Sequence, residues 1–524
     1  MKNHVTSASS FIGCLALLIA SQASQAAITR FVIEDTQPYG QFNGVEYVKI
    51  KATVEGALAP TEPITDIDKL SLDNDGRVKY KSTLLVIAPA KPEQGNGALI
   101  LDVPNRGLLI SHALYNSPRA RPLMMGSTDI GTGFLENRGF SVASVQWELG
   151  EGISLPHYID TAGSARYVEG IGFAAVRDVA VFLRSASKGQ GNPLTGAIRQ
   201  VYGVGYSQTA RFLKSFLLLG FNQTTGAPAF DGLHLFAAAA GQLPLNRSGP
   251  GPKSVTGGTP GYANADLRGV HEEPYTYGDL MKVMRSSGQV LPKIIVTHTT
   301  TDYYTGRASL TRTGVQSTLD QPLPDNVRMY DIAGSGHLNL RQQDPACELP
   351  FSQLDWTPPL RAMLINLQAW TVGASLPPAS QLMALETKTS DQRILPVAAH
   401  MQNAKLQVPR VTPDGNPASG GVRMPDIETP LGTNGAANQP NSNSICRLAG
   451  SFQAFATTRQ LNDTRASLSE RYPGGLNDYV AKVRNAAGQL VYVRLLLPDD
   501  AAVMIDTAAS HPLFAPTPAL NIFR

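Results

Sequence analysis

Beyond Gly95 the chain alternates short apolar runs with helical stretches, and nothing else in the sequence restricts the possible folds as much. Residues 98–103, 139–145, 201–205, 233–239, 293–297 and 327–332 read as strands; 172–184, 209–219 and 360–372 read as helices. Strands separated by helices join through parallel crossovers, which predicts a doubly wound, mostly parallel α/β sheet. In such sheets the chemistry lies beyond the carboxyl ends of the strands, and functional residues are sought there.

The flanking segments follow other rules. Residues 47–54 alternate polar and apolar, and Asp73-Asn74-Asp75-Gly76 is turn chemistry, so 27–95 is predicted to be β-rich. That turn lacks the glutamate of a calcium loop, since Ser82 stands in its place. A Gly/Pro/Ser-rich interruption at 242–290 predicts a lid within a core spanning 96–385. Residues 386–445 read as irregular and 476–496 as an amphipathic helix, making 386–524 an extension packed on the core.

The first 26 residues carry Lys2, an apolar run over 11–20 and Ser24-Gln25-Ala26, the pattern of an export signal that predicts a periplasmic or secreted protein. The run is too short to span a bilayer, and no later stretch predicts stable membrane insertion. Cys347 and Cys446 remain once the signal is removed, and two thiols in an oxidising compartment are expected to pair. With 42% hydrophobic and 16% charged residues the chain can bury a large core. Lys+Arg 44 against Asp+Glu 41 leaves a net charge of +3 and no basic stripe, which argues against nucleic-acid binding.

Gly205-Tyr206-Ser207-Gln208-Thr209 falls between a predicted strand and a predicted helix, the setting of a nucleophile elbow; the competing reading is a serine capping an ordinary helix. A serine hydroxyl needs a base, and the base needs a group that orients it. His337 follows the strand 327–332 and a Gly/Ser-rich loop, whereas His400 and His511 lie in the irregular segment and the tail. Asp302 follows the strand 293–297; Asp231 precedes its strand and is the weaker candidate, and His298 reads as structural. For an oxyanion hole the candidates are the N–H groups of Gln208 and of Arg106 or Gly107, with Asn105 ordering the turn that follows strand 98–103. No zinc spacing, P-loop or dinucleotide fingerprint is present, so no metal or cofactor is called for.

Several longer motifs carry a family resemblance. They include Val103-Pro104-Asn105-Arg106-Gly107, Gly205-Tyr206-Ser207-Gln208, Arg211-Phe212-Leu213, Gly220-Phe221-Asn222 and Ala333-Gly334-Ser335-Gly336-His337, then Gly421-Val422-Arg423-Met424-Pro425 and Ser467-Leu468-Ser469-Glu470-Arg471-Tyr472. In these the chain resembles exported α/β-hydrolase-fold proteins described only as alpha/beta hydrolase domain proteins. The resemblance implies that fold and a triad of Ser207, Asp302 and His337. Two departures stand out: the acid is commonly Glu followed by Tyr-Trp where this chain has Asp302-Tyr303-Tyr304, and Ala210 replaces a more usual glycine.

The resulting expectation is an exported serine hydrolase that cleaves small or polymeric carboxylic esters through an acyl-enzyme. An amidase, peptidase or acyltransferase would use the same residues. A non-catalytic envelope or binding protein on the same fold is the alternative of a different class.

Overall fold

The computed structural model describes residues 28–119, 121–238, 240–246, 273–388, 394, 404–440 and 442–514. The export signal read at 1–26, residues 247–272 of the expected lid, and His400 lie outside the described residues.

β1 (Ile28–Phe42), β2 (Val45–Leu58) and β3 (Val78–Pro89) form an antiparallel meander. Asn43 and Gly44 turn the first hairpin with φ of 47° and 82°, the pair of positive angles that a two-residue hairpin loop requires. In the turn before β3, Asp73 Oδ1 accepts the N–H groups of Asp75 and Arg77, so this aspartate closes a turn. Next come β4 (Ala98–Asp102), β5 (Ser141–Val145), β6 (Gln200–Tyr206), β7 (Gly232–Phe236), β8 (Lys293–Thr299) and β9 (Val327–Ile332). The sheet order is β1-β2-β3-β5-β4-β6-β7-β8-β9, and every pair from β5 to β9 is parallel. A two-residue strand, Ile153–Ser154, also pairs with β3.

Both faces of the sheet are covered, which is why its strands read as nearly continuous apolar runs. Leu99 and Leu101 of β4 point into a core shared with Phe173 of α1 (Ile171–Ser185) and Phe212 and Phe216 of α2 (Gln208–Leu218). Met281 and Met284 of α3 (Tyr277–Ser286) belong to the same core, so this part of the expected lid packs on the body of the protein. Ala98 and Ile100 face the opposite way. They meet a second core, built on α5 (Thr357–Thr371), which follows the short α4 (Thr300–Thr305).

The C-terminal part is more regular than its composition suggests. The expected helix at 476–496 runs as α6 (Gly475–Tyr492) and stops before Arg494, whose φ is 59°; Pro498 then opens α7 (Pro498–Ala509), which the sequence reading missed. Ala487, Leu490, Ala501 and Met504 from these two helices join the second core. Two further strands, β10 (Gly432–Gly435) and β11 (Ser451–Ala454), pair antiparallel within and just beyond the segment read as irregular. Among the described residues no helix is long and apolar enough to cross a membrane.

Cys347 and Cys446 form a disulfide with Cα atoms 5.3 Å apart across 99 positions of sequence. A loop of that length carries about 4 to 5 kcal/mol in the chain-entropy description. Replacing both cysteines by serine is expected to lower stability by several kcal/mol at most. Guanidinium unfolding of the oxidised protein and of the double variant measures the difference.

Candidate active site

The order of connections reverses at β4, which has β5 on one side and β6 on the other. The crevice outside the carboxyl ends of β4 and β6 is therefore the topological switch point, where such sheets hold their ligands. Ser207 lies at this point, between β6 and α2, with φ 58° and ψ −110°. A non-glycine residue in so sparsely populated a conformation costs on the order of 1–3 kcal/mol and persists only where its surroundings impose it.

The surroundings are specific. A Cβ on Gly205 would stand 2.6 Å from the carbonyl oxygen of Thr209 and 2.7 Å from the nitrogen of Ala210, so only glycine admits the turn. Thr209, at the place of the usual second glycine, has its own use: its Oγ1 accepts the N–H of Tyr206 at 3.0 Å and lies 3.2 Å from the Tyr206 carbonyl. Ser207 makes no side-chain capping bond to α2, contrary to the helix-cap reading. Its Oγ instead lies 3.0 Å from Nε2 of His337.

Nδ1 of His337 lies 2.6 Å from Oδ1 of Asp302. An ionised carboxylate only accepts, so Nδ1 carries the ring proton and Nε2 is left to accept from Ser207. Asp302 has a second attachment, since its Oδ2 accepts the N–H of Thr299 at 2.7 Å while Thr299 Oγ1 accepts the N–H of Asp302. This is a capping box at the start of α4, and the Thr-x-x-Asp pattern was a readable sign that Asp302 opens a helix. Burial pushes the Asp302 carboxyl up, but the charge and hydrogen bond of His337, the charge of His298 and the Thr299 N–H together hold it below the ordinary carboxylate range.

The His337 loop is held on several sides. Thr300 Oγ1 accepts the N–H of Gly334, whose φ of 78° suits glycine, and Leu338 N–H donates to the Leu448 carbonyl. The Tyr206 hydroxyl donates to the His337 carbonyl, and the two rings stack with centroids 5.2 Å apart. His298 is buried beside this group, with Nδ1 3.5 Å from Asp331. Asp231 pairs with Arg184 at the amino end of β7, far along the strands from the carboxyl-end crevice. His511 packs its ring against Tyr479.

After β4, Asn105 and Leu108 exchange main-chain hydrogen bonds around Arg106 (φ 53°) and Gly107 (φ 75°), a two-residue turn of positive angles. Asn105 Nδ2 donates to the Tyr206 carbonyl at 2.9 Å and ties this turn to β6. Two residues after β5, to which the sequence reading gave no role, hold the turn from outside: Gln146 Nε2 donates to the Gly107 carbonyl at 3.0 Å and Trp147 Nε1 to the Pro104 carbonyl at 2.8 Å. Asp102 was missed as well. Fully buried at the end of β4, it accepts the N–H groups of Ile110 and Ser111, and burial raises its carboxyl to about 6 against those bonds.

A mostly parallel sheet in this strand order, with a helical insertion and an elbow at its switch point, is the α/β-hydrolase fold. A family model described as "alpha/beta hydrolase domain" matches residues 59–506, and the chain belongs to that family. No curated protein matches the chain. Solved structures similar to parts of it include the rice cell wall degrading esterase LipA from Xanthomonas oryzae (12% identity, TM-score 0.23, covering 42% of this chain and 51% of that one). Another is a glucuronoyl esterase from Solibacter usitatus (12%, TM-score 0.29, covering 58% and 80%). A third is acetyl xylan esterase 1 from Thermoanaerobacterium sp. JW/SL YS485 (11%, TM-score 0.26, covering 51% and 73%). The chain thus spans about half the length of LipA.

The depressed Asp302 pKa has a consequence for stability. The unfolded chain binds the Asp302 proton more readily than the folded one, so the stabilisation is fully present above the ordinary carboxylate pKa and is lost as pH falls through the depressed value. Asp302→Asn is therefore expected to melt below the wild type at neutral pH, with the gap narrowing as the solution is acidified. Paired thermal melts over an acid series measure this gap.

Proposed function

We propose that this protein is an exported serine hydrolase that cleaves carboxylic esters, with Ser207 as nucleophile, His337 as general base and acid, and Asp302 as the group that orients His337. The observation that carries the reading is the continuous chain of contacts Ser207 Oγ to His337 Nε2 at 3.0 Å and His337 Nδ1 to Asp302 Oδ1 at 2.6 Å, on a serine held at φ 58°. Membership of the alpha/beta hydrolase domain family supports it, and export rests on the signal-like pattern of the first 26 residues.

In the first half-reaction Ser207 Oγ attacks the ester carbonyl as its proton passes to His337 Nε2, forming a tetrahedral adduct. Asp302 stays ionised and stabilises the imidazolium. The main-chain N–H of Gln208, at the start of α2, faces the developing oxyanion together with an N–H of the Arg106–Gly107 turn. Collapse of the adduct breaks the bond to the alcohol oxygen, which leaves with the proton held on Nε2. Water then repeats the sequence on the acyl-enzyme: His337 takes its proton, the acid is released, and the proton returns to Ser207 Oγ.

Ser207→Ala and His337→Ala are each expected to reduce the hydrolysis of short p-nitrophenyl esters by roughly 10⁴-fold or more, with circular dichroism unchanged. Loss of fluorophosphonate labelling in Ser207→Ala accompanies it. A wild-type protein that neither hydrolyses these esters nor takes the label would overturn the reading in favour of a binding protein.

A further inference from the structure

Three consecutive residues follow β5 toward the site, and each engages the elements that would supply the oxyanion donors. Gln146 and Trp147 hold the turn after β4, as described above. The third, Glu148, reaches the start of α2: Gln208 Nε2 donates to Glu148 Oε1 at 3.0 Å.

The remaining oxygen atoms of these two groups are anomalous. Glu148 Oε2 and Gln208 Oε1 are both buried and neither accepts a hydrogen bond of ordinary geometry, the Arg106 main-chain N–H approaching the Glu148 carboxyl only as a longer contact. The residues are 9% and 3% exposed, so neither oxygen is open to bulk solvent. A carboxamide oxygen and a carboxylate oxygen can only accept, and each unmet buried acceptor costs on the order of 1–3 kcal/mol. One proton removes both deficits. A neutral Glu148 donates its O–H to Gln208 Oε1 while Gln208 Nε2–H donates to Glu148 Oε1, closing a ring of two hydrogen bonds between two planar groups already in contact.

We propose that Glu148 is held as the neutral acid in a two-bond ring with the Gln208 carboxamide, and that this ring positions the Gln208 main-chain N–H toward the oxyanion. The second half of this inference rests on the hydrolase reading; the first half stands without it. Glu148 is a positioning residue, acting through Gln208. Burial, the largest influence on its carboxyl, favours the neutral form, as does the negative charge of Glu151 in the same loop. The Gln208 hydrogen bond and the charge and main-chain N–H of Arg106, from the turn after β4, act in the opposite direction, and the balance lies above the ordinary glutamate value. Ionisation breaks one arm of the ring, so the ring belongs to the acidic side of the Glu148 titration.

The test follows kcat for p-nitrophenyl acetate and the melting temperature across a pH series, using full-length wild type, Glu148→Gln and Glu148→Ala. Wild-type kcat is expected to fall by about tenfold or more on the alkaline side with little change in KM, as the donor moves out of register. Neither variant titrates at this position, and neither shows that limb, whatever its plateau rate. Glu148→Gln carries a permanent donor in place of the acid O–H and keeps the ring at every pH, so wild type is expected to melt with it at low pH and to fall below it as pH rises through the raised folded pKa, while its advantage over Glu148→Ala shrinks over the same range. An alkaline limb of equal size in all three proteins, or a melting difference that ignores pH, overturns the proposal. If the wild type hydrolyses no ester, the hydrolase reading fails by itself, and the melting series alone decides whether the ring exists.

Discussion

The organisation of the site depends on one backbone conformation. Ser207 at φ 58° stores local strain at the junction of β6 and α2, and this turn is what lifts its hydroxyl clear of the helix and toward His337. The flanking elements are fixed by burial rather than by local preference. Tyr202, Val204 and Tyr206 of β6 face one core while Phe212 and Phe216 of α2 face the other, so the junction cannot relax without unpacking one of them. Thr209 then closes the turn on itself, and Asn105 anchors it to the neighbouring strand.

From that point outward, each partner of Ser207 is placed by contacts distant in sequence. His337 sits in a loop that α4, Tyr206 and residues 448–449 hold from different sides. The disulfide lies on this last connection, joining Cys347, ten residues after His337, to Cys446 in the short helix Ser444–Ala449. Leu338 and Ser352 donate main-chain hydrogen bonds to Leu448 and Ala449, so the covalent link and the loop support share one short stretch of chain. The C-terminal extension is thereby part of the frame around the site.

What could be read from the sequence follows the same division. Strand-end positions of Ser207, Asp302 and His337 were legible because a parallel sheet puts functional groups at strand ends, and apolar runs mark those ends. The structure brings these three residues together, and it separates Asp231 and His511 from them. The use of Thr209 in place of a glycine was not legible, because its hydroxyl serves the turn through a geometry that no spacing rule contains. Nor were the roles of Gln146, Trp147 and Glu148, whose partners lie 39, 43 and 60 positions away in the chain, or of Asp102, whose carboxylate holds the loop eight and nine residues on. α7 escaped notice because the break before it is made by Arg494 at positive φ, where glycine would have announced it.

Asp302 serves two partners from one carboxylate. Its carboxylate occupies the third position of a helix and must reach back to the Thr299 N–H with one oxygen, which a short side chain does at 2.7 Å. The other oxygen is then aimed outward by the same constraint and meets His337 Nδ1 at 2.6 Å. The capping bond and the bond to His337 therefore share one rigid group, and both favour its ionised form against burial. The helix cap thus does for the acid what the packed elbow does for Ser207: a local backbone requirement fixes the direction of a side chain. With the directions of Ser207 and Asp302 both set by main-chain geometry, the imidazole between them is held in one orientation.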